Sequence, residues 1–217
     1  ICFLNTAFLD NRDLFFRFKA SLLIDRYQKS TEIRSILGGS FNSLTDLSNN
    51  LLTIGYDDRA ELDIIAERIG LSFNDHLKEQ QPYLTSKQVR SLVKKGFHFG
   101  AHSIDHPEYG KISTEEQLKQ TANSVTETVE AFDLRHRVFA FPFTDHGVEL
   151  EFFQRLEKQC PTDATFGCAG LKKDIVATNF QRIPMEMGGL SAKTIINSEM
   201  IYYLLKNPFG RNLIKRK

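Results

Sequence analysis

The sequence predicts an α/β fold in which strands and helices alternate around a parallel sheet or barrel. Three observations carry that expectation. Over the second half, short apolar or alternating runs near residues 97–102, 138–141, 164–166 and 180–183 are interleaved with segments of helical period near 113–132, 149–158 and 191–206. Such βα alternation is the signature of parallel strands joined by crossover helices. The first half holds more helix than that pattern needs, so residues 13–81 are expected to form a helical insertion. The chain has 217 residues, enough for one full-sized domain spanning 1–217 and too few for two comfortable ones.

Taken in order, Ile1-Cys2-Phe3-Leu4 is β-branched and aromatic, and Asn5-Thr6 ends it, which reads as the end of a buried strand. A domain rarely starts inside a core strand, so an upstream segment is expected to be missing. Residues 13–28 carry Leu14, Phe15, Phe18, Leu22 and Leu23 at helical spacing. Residues 31–52 form a more polar helical region broken at Gly38-Gly39. Asp57-Asp58 before Ala60, Leu62, Ile64, Ile65 and Ile69, with Gly70 behind, read as a cap, a favourable dipole interaction and a stop.

Thr85-Ser86-Lys87-Gln88 is a capping box opening a helix that runs to Gly96, and the strand at 97–102 follows at once. Within it His98 alternates with phenylalanines and is expected on the sheet wall. Ser113-Thr114-Glu115-Glu116 is a second capping box, for a helix reaching about Phe132. Val138-Phe139-Ala140-Phe141 is a strand stopped by Pro142.

Composition excludes several function classes. There are 28 Lys and Arg against 27 Asp and Glu, a net charge of +1, so nothing electrostatic points to nucleic acid as a partner. No apolar run approaches the roughly 18 residues of a membrane span. The three cysteines, Cys2, Cys160 and Cys168, lack metal spacing and form no even disulfide framework. With no Trp and 18 Phe, phenylalanine is expected to do the aromatic packing.

In βα architectures, ligands meet the carboxyl ends of strands. His102 and His106 fall at one such end, separated by Ser103-Ile104-Asp105 and followed by Pro107. A compact turn there can bring both imidazoles to one ion, or the two can simply cap a turn and hydrogen-bond locally. Asp145-His146 lie on the loop beyond Phe143 and either assist catalysis or bind metal there, or form a turn ending at Gly147. Arg182, at a late strand end, contacts substrate hydroxyls or carboxylates, or pairs with Glu186. His76 and His136 stand in polar surroundings and read as surface residues.

The string Gly96-Phe97-His98-Phe99-Gly100-Ala101-His102-Ser103-Ile104-Asp105-His106-Pro107 resembles the second motif of the polysaccharide deacetylases of carbohydrate esterase family four, the NodB-homology group. The helix start at 84–89, the helix start at 112–116 and Val138-Phe139-Ala140-Phe141-Pro142-Phe143 are similar to its neighbouring elements. The resemblance implies a distorted (β/α) barrel of about seven strands, here incomplete at its amino end and lacking its first strand and first motif.

It also implies His102 and His106 as metal ligands, with zinc the expected divalent metal, and Phe141, Pro142 and Phe143 as a wall of the substrate groove. The implied reaction is hydrolysis of acetyl groups, the C–N amide bonds of N-acetyl sugars, on a polysaccharide or oligosaccharide. An Asp serves as general base and a His as general acid in that chemistry.

The chain departs from the family pattern. No Thr-Phe-Asp-Asp-Gly motif occurs, Asp57-Asp58 comes too late to replace it, and Ala140 stands nearest the place of the usual Arg. No His follows His146 to supply the late general acid. Two imidazoles alone make a weak metal site, so this chain is expected to bind metal poorly and to have little activity. The alternatives are a non-catalytic carbohydrate-binding relative, and an unrelated βα-barrel metal hydrolase whose further ligands are Asp145 and His146.

Overall fold

The computed structural model describes residues 1–37, 41, 43–185 and 188–217. The expected break at Gly38-Gly39 and the Glu186 partner of Arg182 lie outside the described residues. Two compact units are present: Ile1–Thr6 with Val89–Lys217, and Ala7–Gln88.

The first unit is built on a parallel sheet of β1 (Cys2–Leu4), β2 (Phe99–Ala101), β3 (Val138–Ala140), β4 (Ala164–Gly167) and β6 (Asn179–Gln181), in the spatial order β1-β2-β3-β4-β6. The parallel α/β expectation therefore holds, and β1 and β6 are the edges of this sheet among the described residues. The strands are only three or four residues long. Their register is set by the pairing of Leu4 with Ala101, Ala101 with Phe139 and Phe139 with Thr165.

Crossovers are supplied by α7 (Thr114–Phe132) between β2 and β3 and α8 (Leu150–Gln159) between β3 and β4. Ser113 starts α7 by accepting from the Glu116 amide at 3.3 Å, as its capping box predicts. Both helices pack on one face of the sheet, where Ala101, Tyr109, Leu118, Val125, Phe139, Phe141, Phe152 and Leu156 form the buried core. On the other face Phe3 reaches across to Phe166, with ring centroids 5.6 Å apart. Gly100 makes this crossing possible, because a Cβ there would meet Val138 Cγ2 at 2.6 Å and Phe3 Cε1 at 2.8 Å.

A second pairing joins β5 (Lys173–Asp174) to β7 (Leu213–Ile214), two residues each and too short to show a period in the sequence. His98, expected on the sheet wall, does not lie there. That residue and Phe97 are exposed, because the turn at Gly96 (φ +89°) delays the strand until Phe99. Only the His98 carbonyl joins the sheet, accepting from Cys2 N at 2.8 Å. After β6 comes α9 (Ala192–Lys206), capped by Ser191, whose Oγ accepts from the Thr194 amide. Among the described residues no helix is long and apolar enough to cross a membrane.

The second unit is helical: α1 (Phe16–Lys29), α2 (Thr31–Leu37), α3 (Leu44–Thr53), α4 (Ala60–Arg68) and α5 (Phe73–Gln80). Ser43 and Ser72 cap α3 and α5 through hydrogen bonds to the third residue on. Asp57-Asp58 do not cap α4 as expected. Its N-cap is Arg59, with no side-chain cap bond, and only the main-chain carbonyl of Asp58 serves, accepting from Glu61 N at 2.9 Å.

The start and end of this unit clasp each other. Asp10 N donates to the Leu84 carbonyl at 3.1 Å, and Asp10 accepts from the Ser86 amide at 2.6 Å and from the Ser86 hydroxyl. Asn11 Oδ1 accepts from Tyr83 N at 2.9 Å, and Phe8 stacks on Tyr83 at 5.2 Å. From this end α6 (Ser86–Lys94) begins, opened by a reciprocal capping box. Thr85 N donates to Gln88 Oε1 at 2.7 Å, and Gln88 N to Thr85 Oγ1 at 3.2 Å.

Candidate functional site

The turn after β2 folds because three polar side chains over-determine it. His102 N continues the β1–β2 ladder by donating to the Leu4 carbonyl at 2.8 Å. Ser103 is fully buried with φ +71°, and its Oγ accepts from His106 N at 2.9 Å. Asn5, at the end of β1, donates through Nδ2 to that same Oγ at 3.3 Å and to the His102 carbonyl.

Gln120, buried on α7, closes the other side. Its Oε1 accepts from Ile104 N at 2.9 Å, and its Nε2 donates to Asp105 Oδ1 at 2.9 Å and to Glu116 Oε1 at 3.0 Å. Ser103 and His106 (φ +65°) both occupy the left-handed region, a conformation non-glycine residues hold only when their surroundings fix it. Asn5 and Gln120 are the site residues that sequence reasoning missed. Nothing in their local pattern announces them, because their roles rest on contacts between segments 15 to 98 residues apart.

The result is a pair of imidazoles edge to face, His102 and His106, with ring centroids 4.8 Å apart at 75°. His102 Nδ1 lies 2.7 Å from the Ala140 carbonyl, which can only accept. The proton is therefore assigned to Nδ1, and the Nε2 lone pair is left for a ligand. Burial pushes the His102 imidazole down to about 3, assisted by His106 and Arg182 and opposed by the Ala140 carbonyl. Burial likewise takes His106 down to about 4, against its own backbone hydrogen bond and the Asp105 carboxylate. Both rings are neutral at pH 7, the form in which imidazole binds metal.

The three residues expected to form a groove wall, Phe141, Pro142 and Phe143, separate. Phe143 is 44% exposed and sets its ring edge-on to His106, centroids 4.6 Å apart. Phe141, expected beside it, is instead 0% exposed, inside the core among Tyr109, Phe139, Phe152 and Phe153. Strand alternation turns it to the helix side, and Pro142 is buried after it. Arg182 is pinned at the carboxyl ends of β3 and β4, donating from Nε to the Gly167 carbonyl and from Nη2 to the Phe141 carbonyl, each at 3.0 Å.

Asp145 and His146 were expected on a loop facing the imidazoles. Asp145 is buried instead, its carboxylate accepting from Arg216, Asn179, Gln181 and Cys168 N. Burial pushes its carboxyl up, and donation from Gln181, Arg216 and Asn179 outweighs that and holds it below the usual carboxylate range. Gly167 makes room for it, since a Cβ there would land on the Asp145 carboxylate. Gly167→Ala is therefore expected to lower the midpoint of thermal unfolding by several degrees, measured by circular dichroism.

His146 is exposed, with its main chain packed on Gly110. Among the described residues no group of three His, Cys, Asp or Glu converges to hold a metal ion. Neither Asp145 nor His146 thus completes the imidazole pair, which removes the support for a barrel hydrolase using them as ligands. The donor set fits a metal in part: two neutral imidazoles, one with its tautomer fixed, supply two of the positions that tetrahedral zinc needs.

Comparison with known proteins adds one finding. Residues 67–158 match the family model described as polysaccharide deacetylase. No curated protein and no solved structure matches the chain.

Proposed function

We propose, from the polysaccharide deacetylase match over residues 67–158, that this chain serves metal-dependent hydrolysis of acetyl groups on a polysaccharide, cleaving the C–N bond of N-acetyl sugars. The observation that carries the reading is the imidazole pair at 4.8 Å within the matched segment. His102 and His106 would hold the ion, and zinc is among the metals that imidazole nitrogen suits. When bound, such a metal polarises the acetyl carbonyl and lowers the pKa of water.

The chain's own residues supply the rest. The Ala140 carbonyl fixes the His102 tautomer, and Phe143 offers an exposed aromatic edge to a sugar ring. Arg182, whose Nη1 makes no hydrogen bond among the described residues, faces substrate hydroxyls or a carboxylate. Of the acid–base candidates, His146 keeps an exposed side chain, whereas Asp145 is held by its buried partners and is no longer proposed as a base. The parallel sheet is compatible with a distorted barrel. A single deacetylase-type domain over 1–217, with a helical insertion at 13–81, remains the proposed organisation.

Two imidazoles bind zinc weakly, so the described residues by themselves are expected to make a poor metal site with low turnover. That donor set also favours a second reading, a carbohydrate-binding relative without catalysis. Zinc titration by calorimetry, beside acetate release from an N-acetylglucosamine oligomer, tests both. His102→Ala should weaken zinc binding at least about 10-fold. Zinc affinity unchanged by His102→Ala would refute the metal site, and oligomer binding with no acetate release would favour the binding protein.

A further inference from the structure

Arg216, just beyond β7, is 3% exposed and lies between two buried carboxylates, Asp145 (3%) and Asp174 (0%). Its Nε donates to the two oxygens of Asp174 at 3.0 and 3.1 Å, and its Nη2 to Asp145 Oδ2 and Asp174 Oδ2, both at 2.5 Å. Nη1 donates to the carbonyls of Val148 at 2.8 Å and Asp145 at 3.3 Å. Every guanidinium nitrogen is thus used, and the guanidinium carbon sits 4.5 Å from the Phe153 ring centroid.

Asn179 Nδ2 bridges the same two carboxylates, at 3.0 Å to Asp145 and 2.9 Å to Asp174. Gln181 Nε2 adds a bond to Asp145 at 2.8 Å. The next residue, Lys217, accepts through its carbonyl from Leu150 N, the first residue of α8, at 2.8 Å. The carboxyl-terminal residues therefore grip both the loop between β3 and α8 and the start of α8.

That loop presents Phe143. Phe143 holds φ +54°, a left-handed conformation that a non-glycine residue keeps only where its surroundings impose it. Two residues further on, Asp145 is fixed at both its carboxylate and its carbonyl by Arg216. We infer that Arg216 is a positioning residue of the imidazole site: by anchoring Asp145 it sets the Phe143 ring edge-on against His106. It touches neither histidine. Its bearing on catalysis rests on the deacetylase reading, but the ring contact itself stands without a metal.

The test uses the metal-free chain and NMR. Arg216→Lys keeps the charge, but three donors on one nitrogen replace five spread over the guanidinium fork, too few and too close together for the bonds to Asp174, Asp145 and the Asp145 and Val148 carbonyls. Arg216→Met keeps the apolar stem against Phe153 and removes the charge. Two nuclear Overhauser contacts are read: Phe143 to His106, and His102 to His106. The expected result for Arg216→Lys is loss of the first with the second retained in a dispersed, folded spectrum, and Arg216→Met should show the same wherever it folds.

Persistence of both contacts in Arg216→Lys would overturn the proposal. So would loss of both, since Arg216 would then act on the whole sheet rather than on the loop. A chain that no longer folds with Arg216→Lys would make Arg216 a determinant of the fold and overturn it equally. Failure of zinc binding leaves this contact test untouched, so the two readings fail separately.

Discussion

Phe141→Ala is expected to destabilise the protein by about 3–5 kcal/mol, read as a lower midpoint in urea unfolding. The ring is fully buried, and its neighbours stand at 5.1 Å (Phe139), 5.2 Å (Tyr109), 5.7 Å (Phe152) and 5.9 Å (Phe153). Those rings belong to β3, to the segment before α7 and to α8, so they cannot collapse together into the space left behind. An exposed ring behaves differently, as Phe143→Ala should: its ring is 44% exposed, and its loss should move stability by less than about 1 kcal/mol. Equal effects from the two substitutions would contradict the division of the motif into one core ring and one surface ring.

The second large effect is acid sensitivity. His102 and His106 are held near 3 and 4 in the folded chain by burial, and both return to about 6.5 when it unfolds. Below pH 6.5 the unfolded chain binds two protons that the folded chain declines. The stability present above that pH is therefore lost as the pH falls from 6.5 toward 4 and then 3. pH 5 lies about 1.5 units below the unfolded value of each imidazole and above both folded values, a loss of about 2 kcal/mol apiece and about 4 kcal/mol for the pair as an upper figure. Urea midpoints at pH 7 and pH 5 check this. A variant with His102→Asn and His106→Asn should show a flatter profile over that interval, and an unchanged slope would assign the acid loss to other groups.

What could be seen beforehand follows from how locally each feature is encoded. The capping boxes at Thr85 and Ser113 are four-residue signals, and both open helices where the signals stand. The imidazole pair was legible because its spacing and its strand end lie within a few residues. Phe141 and Phe143 share one motif, and only the turn at Phe143, with its positive φ, sends their rings to different surroundings. Asp145 looked like a catalytic loop residue because its cation, Arg216, arrives 71 residues later. Asn5 and Gln120 were invisible for the same reason: side-chain amides acquire a role only when distant segments meet. His98 shows the opposite error, a period extended two residues beyond where the sheet begins.

The clasp at the ends of the helical unit bears on how the sheet can assemble. β1 and β2 are adjacent and parallel, yet Leu4 and its partner Ala101 are separated by nearly a hundred positions of chain. An unstructured tether of that length would oppose their meeting by about 2 kcal/mol more than one of ten residues, since each doubling costs about 0.6 kcal/mol. With Asp10 tied to Leu84 and Ser86, the excursion leaves and returns at nearly one point, and the effective tether shrinks to residues 4–10 and 86–101. Helical neighbours such as α1 and α3 can form first from nearby contacts, so the slow, long-distance pairing of the two strands inherits a loop already closed.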